Sequence, residues 1–439
     1  MFVSKDIRYI GVNDHKIDLF EGQYEVPLGM AYNSYVILDE RIAVMDSVEQ
    51  GFGPLWLEQL DAALAGRQPD YLVVQHVEPD HSGSIASFLS RWPDAVLVGN
   101  AKTFSMLEQF YGLGASVKKL TVKNGDRLEL GSHSLRFTFA PMVHWPEVMV
   151  SYDEKDHVLF SADAFGKFGA NDVEDPEGWA CEARRYYFGI VGKYGQQVER
   201  LLGALDGLEL AAICPLHGPV LSEDLGYYLG VYKKWASYTS EDPGVLVAYT
   251  SVYGNTRQAA ETLGRLLEEK GCPKVSVMDL AREDMYEAVE DAFRYSHMVL
   301  ATITYNGGVF PWMREFIGHL TERGYRNRTV AFIENGTWAP MAGKVMRGML
   351  SECRDLTLLE ETVTIRSALS QENREALARL ADALWTGAPE SEMEPAAEDA
   401  PMKKWVCTIC GYIYEGAELP EDFTCPLCHQ DASFFEPME

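Results

Sequence analysis

Between residues 245 and 386, short apolar runs alternate with longer stretches in which apolar positions recur every three or four residues. The runs predict strands at 245–250, 274–278, 297–302, 328–333 and 357–364. The periodic stretches predict helices from Thr256 to about Lys270 and over about 282–294, 312–323, 341–352 and 371–385. Five such strand–helix units fold as a doubly wound parallel sheet, whose ligand lies at the carboxyl ends of the strands. Residues 1–242 alternate less regularly. Short strands such as Tyr35–Leu38, Ile42–Met45 and the run starting at Tyr71 mix with helical stretches such as Gly53–Leu64, which predicts an α/β domain with a mixed sheet.

Two breaks divide the chain. Ser240-Glu241-Asp242-Pro243-Gly244 precedes the first regular strand, and Pro389 to Pro401 holds five acids, three prolines and no base in thirteen residues, a composition suited to a tether. The expected organisation is therefore an α/β domain over 1–242, a doubly wound domain over 243–388, an acidic linker over 389–402 and a small tail over 403–439.

Charge narrows the partners. With 38 basic against 66 acidic residues, a net charge of -28 argues against nucleic acid and anionic membranes. No apolar run reaches the roughly 18 residues of a membrane span, and the start lacks the apolar core of a signal peptide, so the expectation is cytoplasmic. Four of the eight cysteines fall within 407–428. The other four, Cys181, Cys214, Cys272 and Cys353, are scattered singly and read as buried free thiols.

Three places carry chemistry. After the run Tyr71 to Gln75 comes His76-Val77-Glu78-Pro79-Asp80-His81, four potential metal ligands within six residues. In an extended segment alternate residues point the same way, so His76, Glu78 and Asp80 are expected to converge, with His81 reaching an adjacent position at the turn. His144, Asp163 and His217 each follow an apolar run and complete a candidate set of seven. His15, His133, His157, His297, His319 and His429 lack such context and read as surface or packing residues.

The second place is the first strand–helix loop, Thr250-Ser251-Val252-Tyr253-Gly254-Asn255-Thr256. Its hydroxyls and the free amides of the helix it opens suit a phosphate, without the glycine spacing of a dinucleotide fingerprint or the lysine of a Walker loop. Two later loops, Thr302-Ile303-Thr304-Tyr305-Asn306-Gly307-Gly308 and Glu334-Asn335-Gly336-Thr337-Trp338-Ala339-Pro340, lie where an aromatic ring system bound beside that phosphate would rest. The third place is the pair Cys407-x-x-Cys410 and Cys425-x-x-Cys428, two knuckles that fit one tetrahedral metal, zinc or iron.

In this order the motifs resemble the flavodiiron branch of the metallo-β-lactamase fold, followed by a flavodoxin and a short rubredoxin, the arrangement of flavorubredoxin-type proteins. The resemblance implies an αββα first domain in which His76, Glu78 and His144 hold one iron, Asp80, His81 and His217 the other, and Asp163 bridges them. Glu78 stands where zinc hydrolases of the fold carry a further histidine, and a carboxylate there hardens the site towards iron. The loops at 250–256, 302–308 and 335–338 would hold FMN, with Tyr305 and Trp338 at the isoalloxazine. Trp405, Tyr412, Tyr414 and Phe423 resemble the aromatic cover of an iron tetrathiolate, although only 14 residues separate Cys410 from Cys425 and His429 stands where glycine is usual. Tyr194 would be a hydrogen-bond donor near the diiron site.

The implied activity is an oxidoreductase that reduces dioxygen to water, nitric oxide to nitrous oxide, or both. Electrons would come from an NAD(P)H-dependent rubredoxin or flavin reductase, through the tetrathiolate iron and FMN to the diiron pair, in a head-to-tail homodimer or homotetramer. The rival is a dizinc hydrolase of the lactamase fold with an accessory redox module.

Overall fold

The computed structural model describes residues 3–385, 403–416, 418–420 and 423–437; the expected linker lies outside the described residues. The chain forms two compact units. Among the described residues one comprises 3–187, 196–233 and the tail from 403, the other 188–195 and 234–385.

The first unit is built on two sheets. One orders its strands Ile7–Tyr9, Tyr35–Leu38, Ile42–Met45, Tyr71–Val73, Val96–Gly99 and Lys119–Thr121; the other runs Arg127–Glu129, Ser134–Phe139, Met149–Asp153, Val158–Phe160 and Ala212–Cys214. Each mixes parallel and antiparallel pairs. Strands such as Ile42–Met45 and Val158–Phe160 are apolar throughout because both of their faces are covered. A single core joins the sheets, with Ile37, Met45, Val73 and Val98 of the first meeting Phe137, Met149, Phe160 and Cys214 of the second. Helices such as Gly53–Leu64, Ala101–Tyr111 and Gly195–Leu205 complete the layers. Within the same unit the tail pairs Lys403–Cys407 with both Ile413–Gly416 and Phe435–Pro437, all antiparallel.

The second unit carries five parallel strands in the order Val275–Asp279, Asp242–Tyr249, Tyr295–Tyr305, Arg328–Asn335 and Leu356–Ile365. In chain order this is 2-1-3-4-5, which places the topological switch between the first and third strands. The five expected strands and five expected helices are all present. The third strand is the most extended relative to expectation, running from Tyr295 to Tyr305 because its end turns back to pair with Gly308–Val309. One core face buries Val245, Val247, Ala259, Leu263, Val299, Ile333 and Leu377. Cys214 and Cys272 are buried as expected, whereas Cys181 and Cys353 are only partly covered.

Candidate functional site

The seven expected metal ligands come together at strand ends of the first unit. His76 follows strand Tyr71–Val73, His144 follows Ser134–Phe139, Asp163 follows Val158–Phe160 and His217 follows Ala212–Cys214. Asp80 and His81 lie on the single helical turn Pro79–Ser82. That turn corrects one expectation: the segment is not extended past Glu78, so Asp80 does not converge with His76 and Glu78. Two groups form instead, His76 with Glu78, His144 and Asp163, and Asp80 with His81 and His217. Pro79, at the first helical position, starts the turn that separates them.

Distances within the groups fit ions. His76 Nε2 and His144 Nε2 lie 3.2 and 3.0 Å from Glu78 Oε2, and 3.4 and 3.0 Å from Asp163 Oδ2. In the second group His81 Nε2 and His217 Nε2 are 3.4 and 3.3 Å from Asp80 Oδ2 and 3.0 Å from each other, and Asp163 Oδ1 faces His81 at 3.2 Å. Donors about 2.1 Å from a shared ion stand roughly 3.0–3.4 Å apart. Both oxygens of Asp80 and of Asp163 are buried, and among the described residues they face the site imidazoles with no other hydrogen-bond donor. Buried carboxylate oxygens that converge with imidazole nitrogens in this way are what a cation requires.

The supports of this site were not legible in the sequence. Buried Glu147 accepts from His76 Nδ1–H at 2.8 Å and from the amide of Val77 at 2.9 Å, and the carbonyl of Ala31 accepts from His217 Nδ1–H at 2.7 Å. In each case the acceptor holds the proton on Nδ1 and turns the Nε2 lone pair to the cluster. Asp46 receives the amides of Gln75 and His76 at 2.7 and 3.3 Å, and burial pushes its carboxyl up to about 6. Ser47 donates to the carbonyl of His81. The one available signal was position: Asp46 follows the strand Ile42–Met45 at the same sheet edge as His76. Tyr194 belongs to the other compact unit.

Burial opposes the charged form of the site histidines, but the carboxylates outweigh it. His144 is held at about 9 by Asp163 and Glu78, and His76 well above its ordinary value by Asp163, Glu147 and Glu78. Glu78 and Asp163 are in turn lowered by those imidazoles, despite burial. In the metal-free protein at neutral pH both rings therefore carry protons that an incoming ion must displace. Iron(II) added to metal-free protein is expected to release protons at pH 7. Its affinity should rise as pH increases towards about 9, by up to about tenfold per unit for each proton displaced. Chelator-competition titrations at pH 6.5 and 8.5 with a pH indicator measure this, and pH-independent affinity would contradict it.

In the second unit, the strand-end loops enclose a cavity of about 590 Å³. Ser251, Val252, Tyr253, Asn255 and Thr256 line it together with Ile303, Thr304, Tyr305, Asn306 and Gly307, and Asn335, Gly336, Thr337 and Trp338. Four expected residues do not line it. Thr250 and Thr302 are buried and share a hydroxyl hydrogen bond of 2.6 Å, Gly254 precedes the helix with φ +89°, and Gly308 pairs with Tyr305. Ala339, within the expected third loop, also lines the cavity, as do Met341 and Ser367, which were not anticipated. Ser367 lies in the loop after the fifth strand, where its amide donates to Asn335 Oδ1 at 3.0 Å; its place at the carboxyl edge was the signal. Helix Asn255–Glu269 opens at the cavity with no side-chain cap, leaving its first amides and the hydroxyls of Ser251 and Thr256 for a phosphate. Tyr253 and Trp338, 93% and 87% exposed, flank the opening as apolar surfaces for a flat ring.

The four tail cysteines also converge. Cys407 and Cys428 sulfurs are 3.6 Å apart and those of Cys410 and Cys425 3.5 Å, too long for disulfides and close to the roughly 3.7 Å edge of a tetrathiolate. Tyr412, Tyr414, Phe423 and Trp405 pack on them as expected. His429 adopts φ +57°, the left-handed conformation that accounts for glycine being usual there.

Comparison with known proteins follows the same three parts. Residues 30–218 match the family model described as ODP family beta lactamase, 247–373 match flavodoxin, and 405–436 match the rubredoxin-like domain of rubrerythrin. The anaerobic nitric oxide reductase flavorubredoxin of Salmonella paratyphi A is 26% identical, the alignment covering 99% of this chain and 98% of that protein. Among solved structures, rubredoxin oxygen:oxidoreductase from Desulfovibrio gigas superposes with a TM-score of 0.82 at 22% identity, covering 88% of this chain and 97% of that one. The flavodiiron protein of Giardia intestinalis superposes with 0.80 at 23%, covering 87% and 95%.

Fold and donor sets thus define a multidomain metalloflavoprotein oxidoreductase built on the metallo-β-lactamase fold. In the order of its parts, and over almost its whole length, the chain is similar to the flavorubredoxins. The matched domains and the donor sets imply FMN, a non-haem diiron centre and one iron in a four-cysteine site.

Proposed function

We propose that this chain reduces dioxygen to water, nitric oxide to nitrous oxide, or both, at the cluster around Asp163. The carrying observation is that Asp163 turns one oxygen to each ligand group, Oδ2 to His76 and His144 and Oδ1 to His81. In this reading His76, Glu78 and His144 would hold one iron, Asp80, His81 and His217 would hold the second, and Asp163, with one oxygen toward each group, would serve both. Such a pair supplies two reducing equivalents together to one bound diatomic, or to two. Dioxygen takes four electrons and four protons to give two waters, and two nitric oxide molecules take two electrons and two protons to give nitrous oxide and water.

The residues of the chain contribute binding and orientation. Glu147 and the Ala31 carbonyl aim the imidazoles, and the rings of Phe20 and Tyr186, each 5.4 Å from His217, give the second group an apolar flank. Ser251, Thr256 and the helix amides would hold the FMN phosphate, with Tyr305, Trp338 and the glycine turns along its ring. Carboxylate Glu78 and the flavodoxin loops weigh against the dizinc hydrolase.

An external reductase supplies the electrons. We further propose NAD(P)H as its reductant, a head-to-tail homodimer or homotetramer, a cytoplasmic location, and domain limits at 1–242, 243–388 and 403–439 joined by the linker at 389–402. No helix among the described residues is long and apolar enough to cross a membrane.

Parallel electrode traces test the activity: anaerobic nitric oxide consumption beside dioxygen consumption, with a surrogate reductase and NADH. Turnover of either gas supports the reading, the faster one names the main substrate, and turnover of neither by iron- and FMN-loaded protein would refute it. One variant tests how the site is held. Glu147→Gln removes the charge behind His76 and is expected to weaken metal binding about 10–100-fold. Iron retention against a graded chelator checks this, and wild-type retention would deny Glu147 its orienting role.

A further inference from the structure

The four-cysteine module rests on the lactamase-like part of its own compact unit, and three cations, Lys102, Lys123 and Arg200, line the contact. Lys102, in the first turn of helix Ala101–Tyr111, donates from Nζ to the carbonyl of Ile409 at 3.0 Å. Arg200, on helix Gly195–Leu205, approaches the neighbouring turn so closely that a Cβ built on Gly411 would lie 3.0 Å from its Nη1 and 3.7 Å from Pro141 Cγ. Gly411 has φ +72°, so the absence of a side chain serves both the backbone and the approach. Met142, beside Pro141, packs against the cluster of Cys407, Cys410 and Cys425.

Arg200 is not explained by ordinary pairing. Its Nε and Nη2 are buried with no hydrogen-bond partner among the described residues, although the chain holds 66 acidic side chains. A buried guanidinium with open donors is costly unless a negative charge lies near it. The charge at hand is that of the four sulfurs, since Cys410 adjoins Gly411. Four thiolates around iron(III) carry a net charge of -1, and one added electron makes it -2 with no bond formed or broken. A fixed cation beside the site stabilises the second state more than the first.

We propose that Lys102 and Arg200 form a cationic seat for the four-cysteine module, and that Arg200 is a positioning residue whose charge raises the reduction potential of the iron held there. The inference rests on the iron reading of the four cysteines. It gives Gly411 a reason in tertiary structure: a Cβ there would press on the Arg200 guanidinium at 3.0 Å and push it back from the turn.

Redox titration of the full-length, iron- and FMN-loaded protein, followed by the paramagnetic signal of the ferric tetrathiolate, tests the proposal. At the wild-type midpoint Arg200→Met should lower the reduced-to-oxidised ratio about tenfold, a fall of about 59 mV for a one-electron couple. Arg200→Lys, which keeps the charge, should change the ratio about threefold or less, and Lys102→Met should lower it by a similar small factor. An unchanged midpoint in Arg200→Met with an intact ferric signal would overturn the charge role, as would equal shifts in the Met and Lys variants. If Arg200→Met fails to assemble, Arg200→Gln replaces it with the same expectation.

The seat is read separately by hydrogen exchange. Peptides spanning 139–144 should exchange at least about threefold faster in the double variant Lys102→Glu with Arg200→Glu than in the wild type, and unchanged exchange would overturn the seat. A wild-type protein holding zinc at the four cysteines would overturn the iron reading and the potential effect with it, while exchange would still decide the seat.

Discussion

Glu78→Ala is expected to lower dioxygen or nitric oxide consumption by more than about 100-fold while leaving FMN bound in full. Glu78 Oε2 stands within 3.2 Å of both His76 and His144, so its removal takes an anionic oxygen from the centre of one ligand group. Loss of a supporting residue alone typically costs 10–100-fold in affinity or activity at metal sites, and loss of a direct donor should exceed that. The remaining imidazoles would also lose a carboxylate that holds them charged in the metal-free state, which changes the order in which protons leave during loading. The flavin cavity is lined by residues 251–367 and includes none of the seven ligands. Flavin absorbance, iron content and electrode rates on one preparation distinguish the outcomes. Wild-type turnover in this variant would remove the diiron assignment.

Cys410→Ser is expected to cut turnover driven by the physiological reductase at least about tenfold and to abolish the ferric tetrathiolate absorption. Cys410 is fully buried, and its sulfur lies 3.5 Å from that of Cys425. A serine there offers a harder, shorter ligand that cannot complete a tetrahedron scaled to sulfur bonds of about 2.3 Å. The seven ligands of the diiron cluster do not depend on this cysteine. Turnover with chemically reduced flavin should therefore stay near the wild-type rate. An undiminished reductase-driven rate would mean that electrons enter at the flavin directly and that the module has another task.

Much of this was legible before any coordinates. The period of the apolar positions identified the five parallel strands of the flavodoxin-like sheet and the five helices that cover it, though not the short strand Gly308–Val309, because each of those ten elements buries a face whose spacing is local to the chain. The cysteine knuckles and the dense run from His76 to His81 were equally readable, since ligands a few residues apart share a turn or a strand exit. Which ligand joins which group was not readable from spacing. Alternation along an extended strand put Asp80 beside His76, and the helical turn begun by Pro79 sent it to His81 and His217 instead.

By itself, then, the sequence determined the elements, the candidate donors and the order of the parts, because these depend on local periodicity and on the chemistry of side chains close along the chain. Tertiary structure alone decided the partners across long separations. Glu147 lies 71 residues from the His76 it orients, the carbonyl of Ala31 lies 186 from His217, and Lys102 lies 307 from the Ile409 it holds. Glutamates, lysines and backbone carbonyls are common at every position of a chain. Only the packing of two sheets and of a small module on their rim brings a particular one within 3 Å of a particular nitrogen or oxygen.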